Sequence, residues 1–395
     1  MNSQNTPVHI RLWHHDFWRM AIANLLLTMA VYILVPTLPQ WLLLTQEFTL
    51  QETGLAMGVF GVGLFTFGAF VSFLIQRYRR NMVCILAVLA MVALFGVIYY
   101  VGIESGLYAD LSLMLLQRFA LGACFGLAQM VLTSTLIIDT SESYQRTEAN
   151  HAAAWFGRFA LSLGPLAGLL LQRVAGFESV VIAAGGLATA ALVLIFLVDF
   201  PFRAPLDDTL TVSLDRFFLP HGIPLFLNLQ LIMLAVGLLF SLALTEQFYA
   251  MMMVGFLLAI LAQRFVFRDA EVKSEVVTGL ILMGAALLMM LTRTQQIVGF
   301  AAPAFVGFGL GIIGSRFLLF FIKLSRHCKR GTSQSTFMLG WESGIAWGLG
   351  LGYALFEGDS TPILLTALGL VLASLLLYNF EGRSGIPRTA CDRRC

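Results

Sequence analysis

The sequence predicts an all-α polytopic membrane protein: twelve transmembrane helices in two pseudo-symmetric six-helix bundles. Three observations predict it. The chain of 395 residues is 58% hydrophobic and only 12% charged, with a mean hydropathy of +0.85, whereas a soluble domain runs near a quarter charged. The apolar residues gather in runs of about 20, the length that crosses a bilayer core. Lys and Arg then alternate between the loops joining those runs, the pattern that orients membrane proteins.

Taken in order, candidate spans fall near 18–44, 53–75, 82–102, 109–137, 151–172, 178–199, 221–244, 247–267, 275–292, 297–322, 333–356 and 361–380. The first run is too long for a signal-peptide core and no small-residue cleavage site follows, so it is expected to stay as a membrane helix. His14 and His15, just before it, are expected at the solvated interface. With the N-terminus inside, the inner loops hold Arg77, Arg79 and Arg80, then Arg146, Arg203 and Arg216, then Arg264, Arg268 and Lys273, then Lys323, Arg326, Lys329 and Arg330. The outer loops hold only Arg173 and Arg293, beside acids such as Glu47, Glu104, Asp110, Glu178, Glu246 and Asp359. One missed helix would invert every later loop. The expected location is a plasma membrane, the inner one of a bacterium, with both termini cytoplasmic.

The longest polar gap, FPFRAPLDDTLTVSLDRFFLPHG, divides the spans evenly. It sets an N-terminal bundle at 1–199, a linker at 200–220, a C-terminal bundle at 221–380 and a tail at 381–395. Equal halves suggest duplication. Placing Arg146 on Arg330 without a gap brings Asn150 to Gln334, Arg158 to Glu342, Gly164 to Gly348 and Gly168 to Gly352.

Other classes are excluded by what is missing. The net charge is +2 and no basic run interleaves with aromatics, so nucleic acid is not an expected partner. Cys84 and Cys124 fall in apolar runs, and Cys328, Cys391 and Cys395 in basic segments; none has the spacing of a zinc site or a disulfide framework. No P-loop and no nucleophile–base pair is present, so neither catalysis nor a cofactor is expected.

Three local stretches carry more information: SFLIQRYRRNMV (72–83), LLQRFALGACFG (115–126) and WFGRFALSLGPLAG (155–168). With the twelve spans, the even division and the central loop, they resemble the major facilitator superfamily of transporters, and most closely its drug/proton antiporter-like exporters. The first is similar to the family's G-x-L-x-D-R-x-G-R-R through Leu74, Arg77 and Arg80, with Gln76 where the acid stands. In the family that acid packs against the positive end of span 11 as an inner-face latch. Gln76 brings no charge to it, and the arginines also serve simply to hold the loop inside. The second is similar to L-x-x-R-x-x-x-G through Leu115, Arg118 and Gly122. Arg118 lies roughly 12 Å below the outer end of its span, a depth at which an arginine costs about 2.5–3.5 kcal/mol unless it faces water or a partner. The third is similar to G-x-x-x-G-P-x-x-G-G through Gly164, Pro165 and Gly168. Pro165 leaves the carbonyl of Leu161 without its donor, and the two glycines allow a close helix contact, such as that between the halves. Pro36 and Pro39 end span 1 much as in those exporters.

Arg158 and Glu342 remain. Glu342 is the one acid that falls well inside a span, and taking a carboxylate out of water is costly unless it is paired or protonated. It is a candidate proton carrier, or the partner of a static ion pair with Arg316. Asn24 and Gln40, Gln129, and Asn228 and Gln230 fall in spans 1, 4 and 7, which surround the central path in the family, and are candidate cavity-lining residues. Trp155, Trp341 and Trp347 either contact an apolar ligand or anchor at the interface. The hydroxyls of GTSQST (331–336) can cap span 11.

The resemblance implies a monomeric secondary transporter of a small-molecule substrate, working in the lipid bilayer by alternating access, with protons as the coupling ion and export as the direction. The alternatives are uptake of a sugar, nucleoside or organic anion, which the excess of buried arginine over acid would suit, and a non-transporting sensor or scaffold.

Overall fold

The apolar runs fold as helices whose ends are set by ordinary capping chemistry. The Thr49 hydroxyl accepts from the Glu52 amide, and the Glu52 carboxylate accepts from the Thr49 amide, a reciprocal cap that fixes the start of the second span. The computed structural model describes residues 12–104, 110–141, 145–200, 210–267, 270–325 and 329–381, and its regular elements are all helical there. Arg203, Arg268, Arg326, Cys328, Cys391 and Cys395 lie outside the described residues.

Among the described residues, ten helical stretches are long and apolar enough to cross a membrane. They are α1 (His15–Leu44), α2 (Leu50–Arg77), α3 (Arg80–Glu104), α4 (Leu111–Asp139), the pair α5 and α6 within Arg146–Phe196, α7 (Pro220–Phe240), α8 (Glu246–Phe265), α9 (Val272–Thr292), α10 (Gln296–Leu324) and α12 (Ser360–Asn379). The 51-residue stretch Arg146–Phe196 is too long for one crossing; Gly176 breaks it with φ 77° and ψ 177°, a conformation that needs glycine. α5 therefore covers 146–175 and α6 covers 177–196. The remaining crossing is α11 (Arg330–Phe356), whose 27 residues span roughly 40 Å but are diluted with Gly, Ser, Thr and Gln. The sum is twelve, and the chain returns after α12 to the face on which α1 began. That face also carries the 210–219 segment and is termed the linker face.

Equivalent helices of the two halves pack in equivalent ways. α5 lies on α1 and α11 on α7. A β-carbon on Gly168 would meet the Ile33 carbonyl oxygen at 2.4 Å, and one on Gly348 would meet the Leu234 carbonyl oxygen at 2.2 Å. So Gly164 and Gly168 do form a tight helix contact, but with α1 of their own half, rather than between the halves. The halves meet instead where α2 packs on α11 and α5 on α8, with the Ser162 hydroxyl donating to the Tyr249 carbonyl at 2.6 Å.

Candidate functional site

The site is built around a break in α1. Pro36 has no N–H for the Tyr32 carbonyl, and the helix is interrupted at Ile33. The Gly164–Gly168 face of α5 receives that break; a β-carbon on Gly164 would come within 2.8 Å of the Tyr32 β-carbon. Tyr32, so pinned, donates its hydroxyl to Glu342 Oε2 of α11 at 2.9 Å. Glu342 is 7% exposed and makes no salt bridge among the described residues.

Two small cavities meet at this carboxylate. One has a volume of about 20 Å³, room for about one water, and is lined by Tyr32, Met57, Phe60, Arg118, Glu342 and Ala346. The other offers about 50 Å³ and is lined by Asn24, Thr28, Gln129, Arg158, Gln334, Trp341 and Glu342 among others. The structure therefore brings Arg118, Arg158 and Glu342 to one place without pairing them. The Arg118 guanidinium lies 5.0 Å from the Phe60 ring centre, and its Nε donates to the Ala56 carbonyl at 3.3 Å; its NH1 has no protein acceptor. The Arg158 guanidinium lies 4.6 Å from the Trp155 ring centre, and its NH1 donates to the Ser315 hydroxyl at 2.8 Å; its Nε and NH2 have no protein acceptor.

The expected cavity residues divide. Asn24 donates to the Ala153 carbonyl at 3.0 Å, Gln129 donates to the Thr28 hydroxyl at 2.7 Å, and both line the Arg158 cavity. Gln40 is half-buried near the far end of α1 and lines neither cavity. Asn228 and Gln230 turn away from the path: Ser374 of α12 donates to Asn228 at 2.5 Å, and Gln230 meets Ser343 of α11 at 3.2 Å. Their polar groups are consumed in helix packing.

Several expectations are corrected. Glu275, at the start of α9, is a second buried acid, 1% exposed. Arg316 pairs with Glu275, at 2.6 Å, and is thereby removed as a partner for Glu342. Trp155 and Trp341 are buried beside Arg158 rather than anchored at an interface. His14 is half-buried, with its Nε2 at 2.7 Å from the Thr140 carbonyl oxygen. The hydroxyls of 331–336 make no side-chain cap for α11; Thr332 and Thr336 accept the Arg216 and Leu219 amides at 2.8 and 2.9 Å.

The 72–83 loop shows a related substitution. Leu74 packs on the core, Arg77 is exposed, and Arg80 pairs with Asp139 at the end of α4. Gln76 donates to Ser72 at 2.9 Å. The carboxylate at the positive end of α11 is instead Asp215, from the linker, which accepts from Thr332 at 3.1 Å and from Ser72 at 3.4 Å. Tyr32 and Asp215 were not singled out by the sequence, and Gln334 only as the repeat partner of Asn150. Tyr32 carried one signal, a hydroxyl four residues before Pro36, where a helix must open.

The comparisons agree with this architecture. A family model described as Major Facilitator Superfamily matches residues 20–349. The fold is similar to that of an auto-inhibited POT family peptide transporter, at 11% identity over 96% of this chain and 99% of that one, TM-score 0.72. It is similar to that of the human organic anion transporter MFSD10 (TETRAN), at 16% identity over 92% and 98%, TM-score 0.68, and to that of the nucleoside transporter NupG, at 12% identity over 94% and 100%, TM-score 0.64. No curated protein sequence matches.

Proposed function

The chain belongs to the Major Facilitator Superfamily, a family of membrane transporters, and from that premise we propose that it moves a small organic solute by alternating access, with Glu342 as the proton-carrying group. The observation that carries this reading is the placement of Glu342. It bridges α1 and α11, one helix from each half, and rests on a neutral hydroxyl with two arginines nearby and neither paired to it. An isolated buried carboxylate is costly, and a proton removes that cost. When rocking of the halves opens a cavity to water, the balance between the two forms of Glu342 changes with it. In this reading the linker face is cytoplasmic, as its arginines require.

Export in exchange for protons is supported by the likeness of the 155–168 stretch to the exporters of the family. Its glycines pin Tyr32, and so join that stretch to the proton site. Co-transport with protons is favoured by a different observation, the two arginines against one acid around the cavities. An anion beside Glu342 and a proton on it favour each other's binding.

The test is flux in proteoliposomes under an imposed pH gradient, with a solute found by screening an export-deficient bacterial host against a compound panel. Glu342→Gln is expected to abolish gradient-driven accumulation while solute–solute exchange persists. Unchanged gradient-driven flux in that variant removes Glu342 from the mechanism. Absence of any solute flux in the unsubstituted protein would favour a sensor or scaffold.

A further inference from the structure

We infer that Arg158 holds the charged head of the solute, and that the solute is an organic monocarboxylate with an apolar body. The inference rests on the cavities at Glu342 being the transport site.

Arg158 is 3% exposed, and its guanidinium is fixed from two sides. Ser315 holds NH1 at 2.8 Å while donating its own proton to the Gly311 carbonyl at 2.9 Å, and Trp155 lies against the cation. The two nitrogens left without a protein acceptor, Nε and NH2, form one edge of the planar group. Their N–H bonds run side by side, the geometry that takes both oxygens of a carboxylate at once. A β-carbon at residue 314 would lie 2.7 Å from that Nε and 2.9 Å from the Trp341 ring, so only glycine lets the guanidinium sit this close to α10. Arg118 does not offer the same edge, since its Nε is already bound to the Ala56 carbonyl.

The rest of the cavity describes the body of the ligand. Phe337, Met338 and Trp341 give the lining its apolar part, and Asn24 and Gln129 add polar side chains to it. Charge fixes the sign. Two arginines and one carboxylate leave a positive excess in a medium that screens poorly; an anion relieves it and a cation would add to it. At about 50 Å³ the cavity is narrower than such a ligand, so binding accompanies opening of the halves.

Benzoate, benzamide and benzylamine share a ring and differ in charge. With the full chain in nanodiscs, benzoate is expected to raise the thermal unfolding midpoint, and benzamide and benzylamine to leave it unmoved. Arg158→Lys keeps the charge but loses the paired donors, and is expected to weaken benzoate about 10- to 100-fold. Arg158→Gln should lose benzoate binding, and Arg118→Gln should weaken it less than Arg158→Lys does. Binding of benzylamine or benzamide as tight as that of benzoate, unchanged benzoate affinity in Arg158→Lys, or no binding of any probe would each overturn the inference. The failures are separable. Loss of gradient-driven transport in Glu342→Gln, with benzoate indifferent to Arg158, would sink the anion assignment alone. Arg158-dependent benzoate binding with Glu342→Gln still coupled would sink the proton assignment alone.

Discussion

Two of the places where the halves close on one another are made of opposite materials. Away from the linker face, α2 and α11 meet backbone to backbone: a β-carbon on Gly54 would lie 2.5 Å from the Gly350 carbonyl oxygen and 2.7 Å from the Ala354 amide nitrogen. On the linker face the halves are joined through polar groups of the linker itself. The Ser213 amide donates to the Ala69 carbonyl at 2.9 Å, Asp215 bridges Ser72 and Thr332, and Arg216 donates to Thr135 at 2.9 Å. The Phe217 ring occupies the space that a β-carbon on Gly68 would fill. Hydrogen bonds trade for water at a net cost near 0.5–1.5 kcal/mol each, so a polar lock opens cheaply as water enters. A glycine contact holds by close approach, and it fails when anything is added to it. If the halves rock as proposed, the linker face, held by exchangeable hydrogen bonds, is expected to open more readily than the glycine-packed far face.

Filling the glycine contact should break this comparison most severely. In Gly350→Val the new side chain meets backbone atoms of Gly54 and Gly58, at 2.8 and 2.9 Å for the β-carbon alone, and backbone cannot swing aside. Overpacking of this kind costs about 1–3 kcal/mol or more. The far face is expected to stay open and transport to fall by more than about tenfold. Labelling of a Met57→Cys reporter by an impermeant maleimide from that face should rise in parallel; unaltered labelling would mean the contact is no gate.

The linker lock should respond more mildly. Asp215→Asn removes the charge from the positive end of α11 and weakens the acceptor of two hydroxyls. A loss of about 1–2 kcal/mol is expected, a shift of roughly 5- to 30-fold toward opening on the linker face, read as a longer spin-label distance between the ends of α4 and α11. Adding Gln76→Asp should restore part of it, because residue 76 already bonds to Ser72 in the same cluster. If the double variant stays as open as Asp215→Asn, the position of the charge is not what closes that face.

Much of this was legible in the sequence, for a physical reason. A polar residue inside an apolar run is expensive and therefore visible, which is why Arg118, Arg158, Glu342, Asn24 and Gln129 stood out and do converge. The same signal marked Gln40, Asn228 and Gln230, but depth does not reveal rotation, and Asn228 and Gln230 are spent on neighbouring helices. Partners were less legible than positions. Tyr32 is an unremarked aromatic in an apolar run, 310 residues from Glu342. Glu275 stood at the edge of its span, so its claim on Arg316 had no signal. The polar gap at 200–222 marked a division between halves, yet polarity alone could not say that its last residues dock on both of them.

Arg173 and Glu246 give the smallest test and bear on the comparison most directly. Arg173, near the end of α5, reaches Glu246 at the start of α8 at 2.7 Å, so an ion pair does join the halves on the far face. The Arg173 side chain is 69% exposed. A pair so open to water gains little Coulomb energy, loses side-chain freedom and is screened by salt, and is worth about 0–1 kcal/mol. Arg173→Gln should therefore change flux by less than about fivefold, and that small difference should vanish at about 1 M salt, where screening acts within about 3 Å. If it opened the far face as widely as Gly350→Val, the closing energy on that side would reside in charge, and the contrast between a packed gate and a hydrogen-bonded one would not hold.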